Sequence, residues 1–256
     1  MSSLAVVLIV KNEATMLAAC LESVAWADEI IVLDSGSDDA TVEIAKQYTD
    51  KVYVAEDWQG YGVQRQRAQA YAVSNWVLMI DADERVTPEL KESIQDVISK
   101  NDPSSVWMVS RLPWCFGRFI RHGGWYPALT VRLYTRTKAG YGTERVHEKV
   151  HLDESLTVKR LKGDMLHYTY HDLEHYLQKS AYYAKEWATQ KEREGKTATL
   201  LQGTGHGIGC FLKQYIFKAG FLDGKQGLLL AMLSAHSTFA KYADLWSRRQ
   251  PGSSVE

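Results

Sequence analysis

The 256-residue sequence predicts an α/β fold, a mostly parallel sheet flanked by helices, followed by a helical C-terminal appendage. Three observations carry this. Strand-like and helix-like runs alternate through the first 111 residues with short connections, as βαβ units do. The run Trp76-Val77-Leu78-Met79-Ile80 has the length of a strand buried on both faces, and it leads into Asp81-Ala82-Asp83-Glu84. From Asp172 to Glu194, Leu173, Tyr176, Leu177, Ala181, Ala184 and Trp187 recur at helical spacing.

In chain order, Leu4–Val10 reads as a strand and Glu13–Val24 as a helix; Glu29–Leu33, Asp39–Tyr48 and Val52–Ala55 read as strand, helix and short strand. Tyr61–Val73 is expected to be helical, Trp76–Ile80 a strand, and Pro88–Ser99 a helix opened by Thr87-Pro88-Glu89. Val106–Arg111 is a further strand. Right-handed crossovers place the ends of the first, second and fourth strands along one edge. Between Arg111 and Lys162 glycine, proline and aromatic residues interrupt the pattern, and Thr130–Thr135 and Leu156–Leu161 read as isolated strands. Gly195–Gly209 reads as a glycine-rich hinge or loop, and Cys210–Phe221 and Gly224–Trp246 as apolar helices. The expected division is 1–170, with halves of about 1–100 and 101–170, and a helical appendage over 171–256.

Composition is that of a globular protein, 45% hydrophobic and 24% charged, and a net charge of −1 gives no reason to expect nucleic acid as a partner. Charge is unevenly placed. Lys196, Lys213, Lys218, Lys225, Lys241, Arg248 and Arg249 face only Asp223, Asp244 and Glu256 in the last stretch, on an otherwise acidic body. With Phe211, Leu212, Tyr215, Ile216 and Phe217 nearby, this suits either an anionic membrane surface or packing on the preceding domain. Cys20, Cys115 and Cys210 have no metal or disulfide spacing, and Leu4–Val10 is too short for a span, with no basic n-region before it and no cleavage site, so a reducing, cytoplasmic setting is expected.

Three strand ends carry acidic groups. Val10-Lys11-Asn12-Glu13 ends the first strand, where Asn12 and Glu13 also suit a helix cap. Asp34-Ser35-Gly36-Ser37-Asp38-Asp39 ends the second and suits a tight turn. Asp81-Ala82-Asp83 ends the fourth, and two hard oxygen ligands there suit Mg²⁺ or Mn²⁺ holding a diphosphate. Clustered carboxylates repel one another unless a cation or donors are present.

These three motifs, in this order and spacing over residues 4–90, resemble the inverting family 2 glycosyltransferases of GT-A fold. The resemblance implies a Rossmann-like nucleotide-sugar-binding domain in which Val10, Asn12, Glu13, Asp34, Ser35, Gly36 and Asp38 contact the nucleoside, Asp81 and Ala82 the ribose or sugar, and Asp83, helped by Asp81, the metal on the diphosphate. The segment from Gly60 to Ala68 is similar to a family segment, with a Gln-Arg-Gln-Arg run in place of its usual residues. There Arg65 or Arg67 could pair with phosphate, or lie on a solvated helix face. An inverting transfer needs a base to take the acceptor hydroxyl's proton. His147-Glu148 resembles a motif of some members, giving Glu148 as first candidate, Glu144 as second, with His147 beside them. His167 is a further metal or diphosphate ligand by the same resemblance, or else a structural histidine.

Trp125-Tyr126-Pro127, His167-Tyr168 and Gly220-Phe221-Leu222-Asp223-Gly224 are similar to segments of lipopolysaccharide core β-glucosyltransferases. This resemblance implies transfer of glucose from UDP-glucose to an inner-core heptose on a lipid-anchored oligosaccharide, peripherally at the cytoplasmic face of the inner membrane, with Mg²⁺ or Mn²⁺ as cofactor. Rival readings are a family 2 enzyme with another glycan or lipid-linked acceptor, a non-catalytic nucleotide-sugar-binding protein, and a zinc peptidase using His171 and His175 of His171-Asp172-Leu173-Glu174-His175. The glycines from Gly203 to Gly209 lack dinucleotide-binding spacing and no strand precedes them.

Overall fold

The computed structural model describes residues 2–142 and 150–250. The chain forms two compact units, Met1–Arg111 with Ala128–His167, and Leu112–Pro127 with Tyr168–Glu256.

In the first unit, β1 (Leu4–Val10), β2 (Glu29–Asp34), β3 (Val52–Val54) and β4 (Trp76–Ile80) form a parallel block in the order β3-β2-β1-β4. Alternate side chains feed two cores, as pleating requires. Leu4, Val6, Leu8, Leu78 and Ile80 meet Leu17, Leu21 and Val24 of α1 (Ala14–Val24) on one side. Ala5, Val7, Val77 and Met79 cluster with Ala68 of α3 (Tyr61–Ala70) on the other; α2 (Thr41–Ala45) is short. Burial on both faces explains the unbroken apolar runs, each large side chain contributing about 1.5–3 kcal/mol.

β5 (Glu84–Val86) follows the acidic turn. α4 (Pro88–Lys100) starts where expected: Thr87 Oγ1 accepts the Leu90 N–H at 3.3 Å, Pro88 opens the first turn, and Asn101 closes the helix at φ +47°. β6 (Ser105–Cys115), the two-residue β7 (Arg118–Phe119) and β8 (Ala128–Thr135) come next. β8 joins β4 antiparallel, so the sheet continues beyond its parallel block. β9 (Ala139–Tyr141) and β10 (Val150–Leu152) pair with each other. β11 (Thr157–Tyr170) is not isolated: it extends through fourteen residues and pairs with β5, Met165 opposite Val86 and His167 opposite Glu84. Its alternating polar residues hid that length, because their partners lie far away in sequence.

The second unit is mainly α5 (Leu173–Arg193), α6 (Leu200–Phe211) and α7 (Gly224–Ser247). The expected glycine-rich loop is instead largely α6. Thr199 and Gln202 form a capping box, each side chain bonding the other's N–H at 3.1 and 2.9 Å. Cβ atoms added at Gly203 and Gly207 would lie 3.0 Å from Tyr242 Cβ and 3.1 Å from the Ala235 carbonyl, so these glycines let α6 approach α7 antiparallel. Tertiary packing overrides their poor helix propensity. The expected Cys210–Phe221 helix is broken: after α6 the turns widen, Lys218 N–H reaching the Lys213 carbonyl at 2.9 Å, and Ala219 takes φ +53°. Among the described residues no helix is long and apolar enough to cross a membrane.

Candidate active site

In-register parallel pairing sets Val10 beside Asp34, and Leu8 beside Ile80, so the carboxyl ends of β2, β1 and β4 lie next to one another. The residues that follow are tied together. The Ser35 N–H donates to the Val10 carbonyl at 2.9 Å. Asn12 turns at φ +56°, donates its N–H to Ser37 Oγ at 2.9 Å, and accepts the Asp38 N–H at 3.0 Å. Buried Asp34 accepts the N–H groups of Gly36 (2.8 Å) and Ser37 (2.9 Å) and the Ser37 hydroxyl (2.5 Å), while Gly36 supplies the φ of +84° that the turn requires. Ser35 Oγ accepts from buried Gln64 at 3.0 Å.

The two aspartates of Asp81-Ala82-Asp83 stand in different surroundings. Asp81 accepts from Arg65 Nη2 and Arg132 Nη2, each at 2.6 Å, and its N–H donates to Glu84 Oε2 at 2.9 Å. Arg132 also donates to Glu84 Oε1 at 2.9 Å, with Arg111 Nη1 3.5 Å from the same oxygen. Burial alone would raise the Asp81 pKa, but the guanidinium groups of Arg132 and Arg65 hold it well below the usual carboxylate range. Arg65, expected at phosphate or on a solvated face, is not on a solvated face: it is buried, paired to Asp81, with its guanidinium 5.1 Å from the Tyr141 ring centroid. Arg67 pairs with Asp57 at 2.8 Å. The Ala82 carbonyl accepts from Arg85 at 2.7 Å.

Asp83 is part-exposed and faces His167 Nε2 at 3.2 Å. Its neighbour in charge is Glu13, whose pKa is pushed up to about 7 by burial and by the negative charge of Asp83, Asp81 and Asp39. A carboxylate and an imidazole side by side, in a field already too negative for Glu13, fit a divalent cation. No group of three or more metal-ligating side chains occurs among the described residues. The rest of such an ion's shell would come from diphosphate oxygens and water, the usual arrangement for Mg²⁺.

Glu144, His147 and Glu148 lie outside the described residues. Arg132, Arg111 and Glu84 form the Asp81 network without having been anticipated. A lone arginine inside the β8 run Thr130-Val131-Arg132-Leu133 was the available signal. The zinc reading finds no third ligand: His171 precedes α5, which begins at Leu173 with Asp172 capping the His175 N–H at 2.8 Å, and although the two imidazole rings stack with centroids 6.3 Å apart, no group of three metal-ligating side chains occurs among the described residues.

Compared with known proteins, residues 5–149 match the model of a family described as Glycosyl transferase family 2. The chain is 28% identical over 242 residues to the lipopolysaccharide core biosynthesis glycosyltransferase LpsC of Rhizobium meliloti (strain 1021), covering 93% of this chain and 89% of that protein. It is also 28% identical to uncharacterized glycosyltransferase RP128 of Rickettsia prowazekii (strain Madrid E), over 96% of this chain and 87% of the relative. Among solved structures, S. aureus TarS superposes with a TM-score of 0.47 at 18% identity, over 73% of this chain and 40% of that one.

Proposed function

The chain belongs to glycosyl transferase family 2 and is a glycosyltransferase, and we propose that it moves a hexose, glucose from UDP-glucose, with inversion to an inner-core heptose of a lipid-anchored lipopolysaccharide acceptor. The observation that carries this reading is the convergence of Asn12-Glu13, Asp34 and Asp81-Ala82-Asp83 past three adjacent strand ends, where open α/β sheets bind nucleotides. LpsC, similar over nearly all of both chains, is named for lipopolysaccharide core biosynthesis, which supports the acceptor class.

In this reading the turn closed by Asp34 receives the nucleoside, with Asn12 and Glu13 along its side. Asp83 and His167 would hold the divalent cation, which when bound neutralises charge developing on the departing diphosphate. Arg65 and Arg132 fix Asp81 so that the acidic turn keeps its shape when a phosphate approaches. The acceptor hydroxyl attacks the anomeric carbon as the bond to the diphosphate oxygen breaks, and its proton passes to Glu148, with Glu144 the second candidate. A lipid-anchored acceptor places the enzyme peripherally at the cytoplasmic face of the membrane.

The test is transfer by purified protein from UDP-glucose, with Mn²⁺, to heptose-terminated core acceptors, scoring the linkage by NMR. A β-linked glucose product that disappears in EDTA supports the reading. A retained α-linkage, or undiminished transfer in EDTA, overturns inversion or metal dependence respectively. Glu148→Gln should bind UDP normally and transfer slowly; unchanged turnover moves the base to Glu144.

A further inference from the structure

We propose that the helical unit carries a binding site for the phosphate headgroup of an anionic membrane lipid, formed by Arg118, Arg121 and Lys218 beside the exposed side chains of Phe217, Phe221 and Leu222. It rests on the proposed function only for the reason to meet a membrane, the lipid-anchored acceptor.

Two segments about a hundred residues apart are strapped together here. Asp223, 2% exposed, accepts the N–H groups of Arg121 (3.1 Å) and His122 (2.7 Å) through Oδ2, and its Oδ1 faces His122 Nδ1 at 3.1 Å. Gly123 donates its N–H to the Lys218 carbonyl at 2.9 Å, and Arg118 Nη2 approaches the Leu222 carbonyl at 3.4 Å. Lys218 lies so close to Gly124 that a Cβ there would sit 2.5 Å from Nζ. The charge of Asp223 is therefore used on the loop it holds. Among the described residues no carboxylate pairs with Arg118, Arg121 or Lys218, although ion pairs are common elsewhere in the chain. The backbone ties set these three cation-bearing segments side by side, the Arg121 guanidinium lying 5.5 Å from the Tyr126 ring centroid, and cations left without acids attract an anion.

The side chains next to them decide which anion. Phe217 is 80% exposed, Leu222 54% and Phe221 49%, in the connection between α6 and α7. A soluble phosphate gives such side chains nothing to bury in. A bilayer interface takes aromatic and aliphatic groups into the headgroup boundary while lysine and arginine meet lipid phosphates. The spacing of apolar and basic residues along 217–222, with no helix among the described residues able to span, matches a peripheral contact.

The full chain is tested by sedimentation with vesicles of phosphatidylcholine alone and of phosphatidylcholine mixed with phosphatidylglycerol. Binding is expected to the mixed vesicles only, and to weaken in high salt. Lys218→Gln and Arg121→Gln should each weaken it about fivefold, and Phe217→Ser about tenfold, with circular dichroism and melting unchanged. Equal binding to both vesicles, or unchanged binding in the Arg121→Gln, Lys218→Gln double variant, overturns the proposal. So does displacement by free glycerol phosphate, which would assign the cations to a soluble ligand. UDP binding with Mn²⁺ in the same preparation separates the two readings. Vesicle binding without UDP binding upholds the lipid site and counts against the donor; UDP binding without vesicle binding overturns the lipid site alone.

Discussion

At the edge of the parallel strands Arg65 and Arg132 each hold Asp81 at 2.6 Å, and Arg132 holds Glu84 as well. In the helical unit, by contrast, Arg118, Arg121 and Lys218 have no acidic partner among the described residues, and Phe217 stands beside them in solvent. Packing differs in the same way. β1 and β4 fill both sheet faces with large apolar side chains, whereas α6 meets α7 through Gly203 and Gly207. The difference separates two uses of charge. Paired inside the sheet unit, it fixes the shape of an acidic turn and leaves the Asp83 side of that turn open to a ligand. Unpaired on the helical unit, it is available to something outside the protein.

Removing one arginine of the paired network should cost the most stability. Arg132→Met leaves buried Glu84 and part-exposed Asp81 with fewer partners and should cost about 3–5 kcal/mol, measured by urea unfolding. A loss under 1 kcal/mol would mean that Arg65 and Arg111 suffice. The helical unit is sharpened by a glycine pair. A Cβ at Gly227 would fall 1.9 Å from the Gly220 carbonyl, so Gly227→Ala should destabilise by about 1–3 kcal/mol. Gly205, in the same unit with nothing within 4 Å of its Cβ position, should gain about 0.5–1 kcal/mol as Gly205→Ala. Equal responses would show that the start of α7 does not press against the Gly220 carbonyl as closely as described.

A further effect is a pH dependence. Glu13 has its pKa raised from 4.5 to about 7, so the folded state holds a proton that the unfolded state releases. Folding is unaffected by this group below about pH 4.5, is progressively disfavoured as pH rises, and carries the full penalty above 7. Glu13→Gln should therefore raise the melting temperature of the metal-free protein at pH 8 and leave it unchanged at pH 4.5. An equal rise at both values would point to a cause other than ionisation.

Much of the sheet unit was readable from residues alone. Strands buried on both faces must be continuous apolar runs, so β1, β2 and β4 announced themselves, and the acidic groups following them fell on one edge through parallel register. Thr87-Pro88 likewise marked α4. The Asp81 network was not readable, because Arg132 and Glu84 meet across 48 residues and nothing local in β8 names its partner. Gly203 to Gly209 misled for a related reason: the contacts that make α6 a helix lie on α7, although Thr199 and Gln202 carried a local capping signal.

Calorimetry of UDP binding in wild type and Asp83→Asn, with Mn²⁺ and with EDTA, decides whether Asp83 holds a cation on the diphosphate. Wild type should bind UDP with Mn²⁺ and lose that binding both in EDTA and in the folded Asp83→Asn variant. UDP binding of equal affinity in EDTA, or in Asp83→Asn, would contradict that role.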